Sequence, residues 1–132
     1  TNVIVSAAKS LDGNPARIFE MLLLEEIINY TTKEIIEEVK EVLARPRIKL
    51  NLLEQEFILN NYERFSIKME TTSKLNIMEE DPDDDKFLEC AVDSGAGYII
   101  SGDGHLLKLK EFKGIKIITP AKFVKLMQKD IT

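Results

Sequence analysis

The sequence predicts an α/β fold, and three observations carry that prediction. Helix-periodic stretches alternate with short apolar runs of strand composition. Most helical stretches open on a capping residue or a proline and close on a glycine or a proline. The length of 132 residues suits one hydrophobic core. No linker, repeat or low-complexity tract interrupts the pattern, so residues 1–132 are expected to form a single domain.

The opening "TNVIVSAAKS" is ambiguous, a strand by propensity or the start of a helix by the residues after it. "GNPARIFEMLLLEE" reads as a helix, with Asn14 as cap, Pro15 at the first helical position, and Ile18, Leu22 and Leu23 at helical spacing. "IINYT" is a strand candidate. "TTKEIIEEVKEVLARP" is the clearest helix, capped by Thr32 and stopped before Pro46. "LEQEFILNNYERF" is a further helix and "SIKMET" a further strand. "DKFLECAVDSGA" is a helix with Gly95 near its end. "GYIIS" is a short buried strand, "GDG" a turn and "IKIIT" the last strand. "TPAKFVKLMQ" closes the chain as a helix, with Thr119 as cap and Pro120 at its first position.

The net charge of −5 does not advertise a nucleic-acid binder, although a local basic patch still suffices to hold phosphates. No run approaches the roughly 20 apolar residues of a membrane span, and no signal-peptide pattern is visible. The single cysteine, Cys90, excludes an internal disulfide and fits a reducing, cytoplasmic setting. Frequent Lys, Glu and Ile faintly suggest a thermophile.

The chemistry concentrates in "EEDPDDDKF", where six of the first seven residues are acids. A calcium loop starting at Asp81 fails, because Lys86 stands where the turn needs Gly and Val92 where a Glu is needed. Helix capping absorbs more of the run. With Pro82 at the first helical position, Asp81 is the expected cap, Asp84 completes a capping box and Asp83 meets the helix dipole. Glu79 and Glu80 read as solvated loop charges. Asp85 is left over, and capping has no use for it.

Two further acids point to the same region. On "EIIEEVKEVL" the apolar stripe runs through Ile35, Ile36, Val39, Val42 and Leu43. Glu34, Glu37 and Glu41 face away from it, whereas Glu38 lies at its edge beside Val42. Asp103 comes after the strand "GYIIS" between two glycines, where α/β sheets place their ligands. Each acid taken singly also reads as a solvated or turn residue. Together they form a carboxylate set suited to Mg²⁺ or Mn²⁺. The lone histidine, His105, reads as a surface or capping group, and Cys90, Tyr30 and Phe112 as core residues.

Four stretches, "TNVIVSA", "EIIEEVKEVLARPRI", "DPDDDKFLECAVDSGAGYIISGD" and "LKEFKGIKIITPAKFVKLM", resemble the PIN-domain family. Within it, the similarity is to the VapC-like ribonucleases, the toxin components of type II toxin–antitoxin pairs. The resemblance implies a three-layer α/β/α sandwich with a mainly parallel sheet of four or five strands. It makes residues 1–10 the first helix, and it places the family's first, central strand and first acid just ahead of Thr1, outside this chain.

The resemblance also implies metal-dependent hydrolysis of RNA phosphodiester bonds. By position, Glu38, Asp85 and Asp103 match the second, third and fourth family acids, with Asp84 competing for third place. These four are the expected ligands of Mg²⁺ or Mn²⁺. Asn2 matches a hydrogen-bonding organiser and Ser101 a small hydroxyl residue near the site. Arg45, Arg47 and Lys49, or Lys108, Lys110 and Lys113, would track an RNA backbone. A cognate antitoxin and self-association are the implied partners, with no membrane. The alternative is a PIN-like module that has lost catalysis and binds protein or RNA. A phospho-accepting receiver-like domain ranks low, because no strand candidate between Ile27 and Thr72 ends in Asp.

Overall fold

Ile117 and Ile118 are neighbours on one strand, so their side chains point to opposite faces of the sheet. Both are buried, and they belong to different cores. Ile118 packs with Val3, Ile18, Met21, Phe123 and Val124, and Ile117 packs with Met78, Leu88 and Leu106. Helices therefore cover both faces of the sheet, and the architecture is an α/β sandwich. The structure, a computed structural model, describes every residue except Leu11 and Thr132, and the side chains of all but these and Lys129, Asp130 and Ile131.

The described elements run α1 (Asn2–Lys9), α2 (Asn14–Leu23), β1 (Asn29–Thr31), α3 (Lys33–Leu43), α4 (Leu52–Phe65), β2 (Ser66–Lys68), α5 (Asp85–Ser94), β3 (Tyr98–Ile100), α6 (Gly104–Leu107), β4 (Glu111–Phe112), β5 (Ile115–Ile118) and α7 (Pro120–Ile131). The first ten residues are helical, as the resemblance implies. Short 3₁₀ turns occupy Pro46–Ile48 and Pro82–Asp84.

Most boundaries obey their local signals. Thr32 caps α3 by accepting the Ile35 N–H at 3.2 Å, and Thr119 accepts the Lys122 N–H at 3.2 Å. Gly95 ends α5 with φ 74°, a conformation that favours glycine. Two signals read differently in the structure. Gly13, not Asn14, is the cap of α2, so Pro15 stands at the second helical position. Asn51 forms a full capping box with Glu54 at the start of α4.

The sheet differs from the expected single layer. β1 pairs parallel with β2, while β3 pairs parallel with β5 and β5 antiparallel with β4. These are two separate sheets. Between β1 and β3 runs a slot of about 450 Å³, and both strands line it. α5 packs on both strands and contributes Phe87, Cys90 and Ala91 to the slot, and α1 and α2 contribute Val3, Ile4, Ile18 and Leu22. Buried Tyr62 donates its hydroxyl to Thr31 at 2.9 Å and ties α4 to the end of β1.

Candidate metal centre and nucleic-acid cleft

α1, α3, the 3₁₀ turn after α3, the acidic segment and the end of β3 converge on a cleft of about 670 Å³. α3 sets the first acid. Its buried face holds Ile35, Ile36, Val39 and Leu43, each side chain worth roughly 1.5–3 kcal/mol of burial. That registration leaves Glu38 and Val42 at the stripe's edge, and both line the cleft. Glu38 is ion-paired with Lys86, whose side chain is only 10 % exposed and which also holds Asp83 at 2.7 Å. Burial pulls the Lys86 pKa down, but the hydrogen bonds to Asp83 and Glu38 outweigh it and hold the ammonium above its usual range. Sequence reasoning missed Lys86; its spacing of three from Asp83 was the available signal.

The acidic run is organised differently from the capping expectation. Pro82–Asp84 forms a 3₁₀ turn, and neither Asp81 nor Asp84 makes a side-chain cap. Both line the cleft instead. Asp85, expected at the metal, is absent from the lining. It is buried, and its Oδ1 accepts the backbone N–H groups of Ile77 at 3.1 Å and Met78 at 3.0 Å. The physical reason is its place at the first position of α5. That direction faces the incoming segment before the acidic run, whose Ile77 and Met78 amides take the carboxylate. Of the two candidates for third place, the geometry brings Asp84 to the cleft.

The segment after β3 supplies the rest. Buried Ser101 accepts the Asp103 N–H at 2.9 Å. Asn2 accepts the Gly102 N–H at 3.1 Å and points its amide at Ser101 Oγ, 3.5 Å away. Asn2 and Ser101 thus fix the turn that presents Asp103. Asp103 in turn caps the short α6, accepting the His105 N–H at 3.1 Å. Lys9, Arg45 and Arg47 line the same cleft as exposed cations, with Arg45 also 3.4 Å from Glu41. Lys49, Lys108, Lys110 and Lys113 are not in its lining.

A family model described as PIN domain matches residues 1–105. The chain belongs to the PIN domain family. It is also similar to an uncharacterized protein, MJ1680, of Methanocaldococcus jannaschii, at 29 % identity over 143 residues, covering 100 % of this chain and 91 % of the relative. No solved structure matches it significantly. PIN domains are generally nucleases and usually use divalent metals. Among the described residues no helix is long and apolar enough to cross a membrane.

The acids of this PIN domain fit a divalent cation on three counts. The donors are carboxylate oxygens, the ligands that hard cations take. Asp84 Oδ2 is shut off from solvent and has no hydrogen-bond partner, an arrangement that costs free energy until something binds it. Burial, a proton shared with Asp103 and the charges of Asp81, Asp103 and Glu38 push the Asp84 carboxyl up to about 7. The hydrogen bond from Asp84 holds Asp103 below the usual carboxylate range against its own burial. A cation bound beside the pair would favour the charged form of both carboxylates.

Proposed function

We propose that the protein is a metal-dependent ribonuclease hydrolysing RNA phosphodiester bonds. The observation that supports it most is the composition of one cleft: half-buried Glu38, Asp81, Asp84 and Asp103 beside exposed Lys9, Arg45 and Arg47. Acids alone repel a phosphate backbone, and cations alone do not hold a metal. A surface carrying both suits a cation and a polyanion together.

Glu38, Asp84 and Asp103 would hold Mg²⁺ or Mn²⁺. When bound, the ion supplies Lewis acidity and activates a water toward the phosphate. The chain's own residues do the rest. Ser101 and Asn2 hold the Asp103 turn rigid, so that carboxylate needs little reorganisation on binding. Arg45 and Arg47 neutralise backbone phosphates and set the strand's direction. Lys86 holds Glu38 in place at the cleft through their ion pair. Asp85 is not part of this set.

In this reading the chain is a VapC-like toxin in the cytoplasm, self-associating, with a cognate antitoxin that masks the cleft by inserting a basic side chain. The Lys86 ammonium against Glu38 favours a second reading, a PIN module that has lost catalysis and binds RNA or protein through the same cleft. Cleavage of several RNAs with Mn²⁺ or with EDTA separates the two. The nuclease reading expects cleavage that chelation abolishes and that Asp84→Asn and Asp103→Asn each lower about a hundredfold or more. Equal background in every lane, on folded protein, supports the second reading.

A further inference from the structure

Asp81, Asp103 and His105 each place a ligand-capable atom within 4.8 Å of the other two. Two ligands of one first-row ion, at about 2.1 Å each, sit up to about 4.2 Å apart. Three ligands of one such ion sit about 3.0–3.6 Å from one another, so closure of the side chains by up to about 1–2 Å would complete a site. Local structure explains the convergence. The Asp103 cap on α6 fixes Asp103 and His105 to one turn through the 3.1 Å bond from the His105 N–H. Asp81 arrives from the other side of the cleft's edge on the 3₁₀ turn, its carboxylate free of any capping bond.

The imidazole has a second partner. His105 Nε2 lies 3.1 Å from Glu80 Oε2. A metal-binding histidine commonly donates its other ring N–H to a carboxylate, which fixes the tautomer and raises the basicity of the ligating nitrogen. Glu80 stands where that carboxylate is needed, and it leaves Nδ1 to bind. Without a metal role, Glu80 and His105 are a half-exposed pair, 69 % and 43 % accessible, of the kind that contributes little to stability.

We propose that Asp81, Asp103 and His105, with Glu80 behind the imidazole, form a nitrogen-containing metal position that selects Mn²⁺-class ions over Mg²⁺. Mg²⁺ keeps to oxygen ligands and imidazole suits the later first-row ions; Mn²⁺, a transition ion that also favours oxygen, takes an imidazole more readily than Mg²⁺ does. This rests on the cleft being a metal site and deepens that reading. Asp103 belongs to both donor sets, so the position adjoins the one assigned to Glu38 and Asp84. Asp84 Oδ2, unpartnered and shut off from solvent, lies in the same cleft as Asp81 and Asp103.

The test is Mn²⁺ bound to the intact chain, read by pulsed electron paramagnetic resonance. His105 is the single histidine of the sequence, so a directly bound imidazole nitrogen has one source. The expected result is nitrogen-14 modulation in the native protein and its loss in His105→Gln. The Mn²⁺-over-Mg²⁺ preference should fall about tenfold or more in that variant, with an unchanged melting curve. Glu80→Gln should weaken Mn²⁺ while keeping the modulation. Mn²⁺ bound tightly without nitrogen coupling overturns the proposal and leaves the carboxylate site standing. No Mn²⁺ binding by the folded native protein overturns both.

Discussion

Asp84 and Asp85 are adjacent in sequence and opposite in circumstance. Asp85 begins a ladder on α5. Asp85, Glu89 and Asp93 are spaced four residues apart, one above another on the helix. Together they accept the backbone N–H groups of Thr72, Ser73, Leu75, Ile77 and Met78. The segment joining β2 to the acidic run lacks regular structure, and this ladder satisfies five of its amides. Asp84, one step earlier, faces other carboxylates and keeps an oxygen with no partner. The difference teaches how to read a crowd of acids. A carboxylate buried against backbone N–H groups serves the fold, and one that keeps a buried oxygen without a partner is available to a cation.

The largest expected effect breaks the pair apart by activity. Asp84→Asn should lower RNA cleavage about a hundredfold while leaving the protein folded. Asp85→Asn keeps an acceptor oxygen for Ile77 and Met78, so its cleavage should stay within a few-fold of native. Equal losses in the two variants, at equal stability, would put Asp85 back at the chemistry. The second effect reverses the order. Asp85→Ala leaves the buried Met78 amide and the part-buried Ile77 amide without an acceptor, at about 1–2 kcal/mol each. Urea unfolding should show a loss of about 2–4 kcal/mol, whereas Asp84→Ala should show none or a gain.

That asymmetry marks what the sequence can and cannot disclose. Glu38 was legible because α3 is long and strongly periodic, so one residue at the stripe's edge is placed by the helix itself. Asp103 was legible because a short apolar strand with Gly-Asp-Gly after it fixes a strand-end turn. The first helix was legible only through the family resemblance. The Asp84–Asp85 choice depends on which side segment 69–80 crosses α5, and no local pattern records that. The capping reading of Asp81 failed because Pro82 started a 3₁₀ turn instead of the α-helix. Lys86 against Glu38 and His105 against Glu80 join residues 48 and 25 apart in number, beyond the reach of periodicity.

A smaller effect comes from protons. The folded pKa of Asp84 is raised to about 7, against about 3.9 when unfolded. Between those values the native state binds more protons than the unfolded chain, so stability is greatest below the window and falls as pH rises through it. With Asp84 partly exposed, the loss should be about 1–2 kcal/mol by pH 8. Asp84→Asn should flatten the slope between pH 4 and 7 in metal-free buffer, and Mn²⁺ should restore native stability at pH 8. A slope unchanged by the substitution would assign the proton elsewhere.

The weakest effect lies at the far end of the ladder and has the opposite sign. Hydrogen bonds from the Ser73 hydroxyl and from the Ser73 and Thr72 amides hold Asp93 below the usual carboxylate range. Its contribution is present above the unfolded value and is lost as pH falls through the folded one. Hydrogen exchange at pH 6 should be faster at the Thr72 and Ser73 amides in Asp93→Ala than in the native protein, with Ile77 and Met78 unchanged. Because Asp85 holds the other end of the same segment, release of residues 72 and 73 should not spread. If exchange rises along the whole of 72–78, the ladder is one cooperative unit. Asp85 would then be secured by its neighbours on α5 as much as by the two amides it accepts.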